Sequence, residues 1–194
     1  MTSYTRCPNS ANPDKHRSSV RTITVLALLC MTVTLPLGSA IGQTGISQDR
    51  LVGRWTYESV IVERMDGTKI APFGPNPKGL ITLSADGRYS LQLIRPDIPK
   101  IASKDRLSGT PEENRAVAQG VLSQFGTYSV NAAEGMLTLH VETSSFPDEN
   151  GTNQERIITS FSGDNLHWTN PTPTTPGIAY STLRRTGPPT EQPQ

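Results

Sequence analysis

Leu51-Val-Gly-Arg-Trp-Thr-Tyr-Glu-Ser-Val-Ile-Val62 is the first stretch whose apolar and polar residues suit a half-buried strand, and the segments downstream read as strands that pair back toward it. At its head stands Gly53-x-Trp55. A glycine lets backbone pass closely, and a large ring two residues on fills the space beside it. The ring is expected to plug the closed end of a small barrel, so Gly53 and Trp55 are read as structural.

Outward from this strand the punctuation is regular. Asp66-Gly67 tolerates the positive φ of a tight turn. Ala71-Pro-Phe-Gly-Pro-Asn-Pro-Lys-Gly79 has three prolines and two glycines, cannot donate a regular ladder, and should form a wide loop over one mouth. Segments 80–84 and 88–94 make a hairpin about Asp86-Gly87, with Tyr89, Leu91 and Leu93 on one face and Ser90 and Gln92 on the other. Periodicity lapses over residues 95–109, a second candidate rim loop. Thr110-Pro-Glu-Glu113 then starts a helix, with Thr110 as N-cap, Pro111 at the first position and Glu113 placed for a capping box. Val117, Val121 and Leu122 are its expected apolar stripe. Strands follow at 125–130, 136–143, 153–161, 165–169 and 178–185. Eight short strands and one short helix give an all-β chain, of the antiparallel up-and-down barrel or sandwich kind and without alternating βαβ units.

The ends read differently. Arg6, Lys15, Arg17 and Arg21 precede an uncharged, mostly apolar run at residues 22–35, followed by Pro36-Leu-Gly-Ser-Ala40. That order is a secretory signal peptide over residues 1–40 with cleavage after Ala40, and an uncleaved anchor is the alternative. Residues 41–50 read as a linker, 51–185 as the barrel domain, and the proline-rich 186–194 as a disordered tail. Both cysteines, Cys7 and Cys30, lie in the leader, so the exported domain must be held by a packed core. Beyond Ala40, fourteen basic and sixteen acidic residues leave a formal charge of −2 with no basic cluster, which argues against a nucleic-acid partner. With the leader removed, no stable membrane insertion is expected.

Leu51-Val-Gly-Arg-Trp55, Asp66-Gly67, Pro72-Phe-Gly-Pro-Asn-Pro-Lys-Gly79, Ala85-Asp-Gly-Arg88, Gln92-Leu-Ile-Arg-Pro96, Ser108-Gly-Thr-Pro-Glu-Glu113, Phe125-Gly-Thr-Tyr128, His140-Val-Glu142, Phe146-Pro147 and Gly151-Thr-x-Gln-x-Arg156 together resemble the bacterial and fungal lipocalin-like domain family, within the lipocalin and calycin group of barrels. The resemblance implies an eight-stranded antiparallel barrel with a central cavity. It also implies that an arginine of the last strand, Arg184 or Arg185, packs across Trp55.

An eight-stranded barrel is wide enough to be filled by side chains or to hold one small ligand. If the polar faces of segments 136–143 and 153–161 line it, His140, Glu142, Gln154 and Arg156 form an interior cluster. Arg156, with its fork of donors, then holds a carboxylate or other acceptor while His140 and Gln154 orient the ligand. The alternatives are an Arg156–Glu142 pair that merely satisfies the interior, or a solvent face. Tyr89, Gln92, Tyr128 and Trp168 are further candidate lining residues, each also readable as packing, and Tyr57 is ambiguous between core and cavity. His140 and His167 lack a third metal ligand at a recognisable spacing, and no nucleophile turn, phosphate loop or dinucleotide fingerprint occurs, so no cofactor is expected. Three readings stay open: an exported carrier of a small apolar or amphipathic molecule; a cofactor-free isomerase, cyclase or dehydratase in which His140 shuttles a proton beside Glu142 or Arg156; and an interaction module whose barrel is filled.

Overall fold

A computed structural model describes residues 46–187. The expected signal peptide, the first half of the linker and all but the first two residues of the tail lie outside the described residues.

The chain forms β1 (Gly53–Glu63), a two-residue β2 (Lys69–Ile70), β3 (Lys78–Leu83), β4 (Arg88–Ile94), β5 (Val121–Asn131), β6 (Met136–Ser144), β7 (Asn153–Ser162), β8 (Asn165–Asn170) and β9 (Ile178–Arg185). Each long strand pairs antiparallel with the next, and β1 pairs with β9 from Trp55↔Arg185 to Glu63↔Ile178, which closes the sheet. The result is a closed, eight-stranded antiparallel barrel, with β2 as a short addition hairpinned onto β1 at Val62 and Glu63. Closure removes the unpaired edges and creates an inside. Trp55, Ile81, Leu83, Leu91, Leu137, Leu139, Leu166, Trp168 and Leu183 fill it.

The two ends differ because their connections differ. At one end lie the tight turns after Ser84, Asn131 and Ser162, together with a helical turn α1 (Gln48–Leu51). The other end carries the long loops at 71–77, 95–110, 145–152 and 171–177, with the helix α2 (Pro111–Gly120). The last three residues read as linker, Gln48 to Arg50, form the helical turn α1 together with Leu51, the first residue of the barrel domain, which is completely buried. Trp55 plugs this closed end, its indole N–H donating to Leu51 O at 2.9 Å. Gly53, at φ 137°, makes the sharp approach to it that a side chain would resist.

Of the two candidate arginines it is Arg185 whose guanidinium lies 4.1 Å from the Trp55 ring centroid, donating also to the carbonyls of Val52 and Arg50. Arg184 points outward and pairs with Glu58 at 2.7 Å. The helix has its full capping box, Thr110 and Glu113 each accepting from the other's backbone N–H. Its expected apolar stripe is not there. Val117 is exposed, while Val121 and Leu122 already belong to β5, since Gly120 ends the helix and its carbonyl accepts from Arg95 N–H. A second glycine is required at Gly126, where the β5–β6 register shifts: any Cβ there would overlap the His140 carbonyl oxygen.

Because Arg185 combines a partly desolvated cation–π contact with two hydrogen bonds that tie α1 to the last strand, Arg185→Met should cost about 2 kcal/mol and lower Tm by roughly 6–8 °C. Arg184→Met, at an exposed pair, should leave Tm nearly unchanged. Thermal unfolding followed by circular dichroism checks both.

Candidate functional site

Side-chain direction in the barrel follows from register. Directly paired residues share a face, and Leu137 pairs with Arg156, Leu139 with Gln154, and His140 with Asn153. Since the apolar face of β6 turns inward, Arg156 and Gln154 are inside. For the same reason His140 and Glu142 are outside, and the expected four-residue interior cluster is corrected to two. His140 lies on the outer wall, hydrogen-bonded to Ser129 Oγ at 3.1 Å and Asn153 Oδ1 at 2.8 Å. Glu142 is exposed and pairs with Arg88 at 3.0 Å, not with Arg156.

The remaining candidates divide likewise. Gln92 points outward into an open groove of about 600 Å³ over the β1–β3 seam, shared with Thr56, Glu58, Lys78 and Ile94. Tyr128 is buried but anchored, its hydroxyl donating to Ser84 O at 2.8 Å, and burial pushes that phenol up to about 12. Tyr89 is inside and donates to Gln124 Oε1 at 2.9 Å. Trp168 is inside, edge-on to Tyr57 with centroids 6.1 Å apart.

Between these groups and the loop-bearing end lies a cavity of about 40 Å³. That is room for roughly three waters, or a head group of about three heavy atoms. Tyr57, Leu91, Leu93, Leu122 and Trp168 form its walls, and Phe73 of one loop with Pro173 of another forms its mouth. Both ends of the apolar-to-polar scale meet here, since Arg156 and Glu149 also line it.

Arg156 is 5 % exposed. Its guanidinium donates to the Glu155 carbonyl at 2.8 Å, and no ion pair involving it exists among the described residues. Burial lowers its affinity for a proton, partly offset by Tyr57, Glu149 and Tyr89 around it. It stays charged, because an arginine's ordinary value leaves a wide margin. Tyr57 is held neutral, burial raising its phenol far above the ordinary range. Glu149, 6 % exposed, comes from a short 3-10 turn (Pro147–Glu149) between β6 and β7 and accepts from Ser144 Oγ at 3.0 Å. Burial raises its carboxyl above the usual range, the Ser144 hydrogen bond and Arg156 opposing that rise. Nearby, Gln124 Nε2 and Gln154 Oε1 are buried without partners.

Glu149 and Gln124 were not foreseen. A carboxylate in a loop after Phe146-Pro147 reads as solvated, and no periodicity reaches it. Gln124 was legible in principle: starting β5 at Val121 rather than at 125 puts Leu122, Gln124 and Tyr128 on one alternating face. Among the described residues no group of three or more His, Cys, Asp or Glu side chains is placed to hold a metal ion.

A family model described as a lipocalin-like domain matches residues 52–180. No curated protein matches the chain.

The Glu149 carboxyl has a stability signature of its own. With its folded pKa raised above the ordinary 4.5, the folded state holds a proton that the unfolded state has released, so this group's contribution is fully present below that value and is lost as pH rises through the folded pKa. Stability of the wild type relative to Glu149→Gln should therefore fall as pH rises above about 4.5 and level off once the folded carboxyl is ionised. Urea unfolding of both proteins across pH checks the sign.

Proposed function

The chain belongs to the lipocalin-like domain family, and from that premise we propose that its barrel holds one small amphipathic molecule noncovalently, with the polar head against Arg156 and the apolar remainder leaving through the mouth at Phe73 and Pro173. The observation that carries this is the state of Arg156: a buried cation, facing a cavity, with one backbone hydrogen bond and no ion pair among the described residues. Leaving a buried charge so poorly partnered costs several kcal/mol, which an acceptor supplied from outside offsets. The cavity accommodates only a head group, so the body of the ligand packs between the loops at 71–77 and 171–177. The basic, apolar, small-residue order of the first forty residues supports export to the periplasm or the exterior, with Ile41 as the mature N-terminus.

A second reading, proton-transfer catalysis in the same cavity, is favoured by Glu149. A carboxyl with a raised pKa opposite a guanidinium and a phenol is the kind of group that moves protons at carbon. In this reading Glu149 replaces His140, which is on the outer wall.

Ligand-observed NMR with three six-carbon amphiphiles, hexanol, hexanoate and hexanamide, tests the carrier reading. At least one should bind the wild type, and Arg156→Met should weaken it by about 10- to 100-fold through loss of charge-assisted hydrogen bonds. Absence of binding by all three, or equal binding by the variant, would overturn it.

A further inference from the structure

Glu149 and Arg156 are the only charged side chains lining the cavity among the described residues, they carry opposite signs, and they make no ion pair with each other. Both line the cavity, and each has hydrogen-bonding capacity beyond the one bond it makes. Arg156 donates one bond, to the Glu155 carbonyl, and Glu149 accepts one, at Oε2 from Ser144 Oγ. Tyr57, whose hydroxyl makes no hydrogen bond among the described residues, faces the same space. A bare carboxylate at Arg156 would bring a net negative charge into an enclosure whose two fixed charges already cancel. A group with an acceptor for Arg156 and a donor for Glu149 brings none.

We infer that the cavity selects a head group that is neutral overall and sets an acceptor beside a donor, as a primary carboxamide does, and that it admits a carboxylate only together with one proton, carried on Glu149. This rests on the carrier reading and sharpens it. With an amide, the carbonyl oxygen accepts from Arg156 and an N–H donates to the Glu149 carboxylate. With a carboxylate, the proton sits on Glu149, whose O–H then donates to the anion while Arg156 donates from the other side. No bond to carbon forms or breaks in either case.

The titratable groups that face Glu149 are Arg156 from β7 and Tyr89 from β4, while Tyr57 from β1 faces Arg156. Both phenols are raised by burial and stay neutral, and Arg156 stays charged, so among these groups Glu149 is the one left to take up or release a proton. The direction of its shift, upward by burial, agrees with a proton being taken up there.

Matched probes test this. By isothermal titration calorimetry at about pH 7, hexanamide should bind the wild type at least about tenfold more tightly than hexanoate. As pH falls toward the range where Glu149 protonates, hexanoate should gain up to about tenfold per pH unit and hexanamide should not change. In Glu149→Gln the difference between probes should shrink and the pH dependence of hexanoate should vanish. The wild type alone supplies a second measurement: titrations in two buffers of different ionisation enthalpy should show one proton taken up with hexanoate and none with hexanamide. Equal binding of the two probes at about pH 7, or hexanoate binding without proton uptake, overturns the inference while leaving the carrier reading standing. Failure of hexanol, hexanoate and hexanamide alike overturns both.

Discussion

The pairing of β1 with β9 is the constraint on which the rest of the structure depends. Once the last strand is bonded to the first, every alternate residue on every strand is committed to a dry interior, whatever its chemistry. Apolar residues supply the driving force at most of these positions, and the closed end is secured where Arg185 covers Trp55 and binds the carbonyls just before it. A polar residue at an inward position has no route back to solvent except toward the open end. Arg156 is such a residue: it pairs with Leu137, faces in, and is buried because the cylinder closes around it.

A barrel that filled itself completely would have little use for such a residue. Here the interior is packed from the Trp55 end upward, through Leu137, Leu139 and the Tyr57–Trp168 edge contact, and stops short at the loop-bearing end. The opening that remains is small, and the charges around it are balanced in sum but not joined in a pair. In the proposed carrier role, the small volume limits the guest to a head group and the charge balance limits which head groups are accepted. Gln124 and Gln154, which do not line the opening, each keep one buried polar atom without a partner.

Much of the fold was legible in the residues. Gly53-x-Trp55, the Asp-Gly turns and the Thr110 capping box each have a local physical cause, and each appears where that cause puts it. The helix's apolar stripe failed because helical and strand periodicities cannot be told apart over so short a stretch as Val117 to Leu122, and Gly120 decides where one ends. The site was legible in part for a related reason. Alternation says that His140 and Glu142 share a face and that Gln154 and Arg156 share a face, but only the register between β6 and β7 says that these are opposite faces. Glu149 was out of reach altogether, since a 3-10 turn that folds a loop carboxylate inward leaves no periodic trace.

The most direct test of the account is to watch the Arg156 guanidinium itself, by ¹⁵N–¹H NMR of the arginine side chains, during titration with hexanamide. A guest seated in the cavity should shift the Arg156 resonances and slow their exchange with water, while those of Arg88 and Arg184, paired on the outer wall, stay where they are. Resonances of Arg156 that do not move at saturating hexanamide would contradict it.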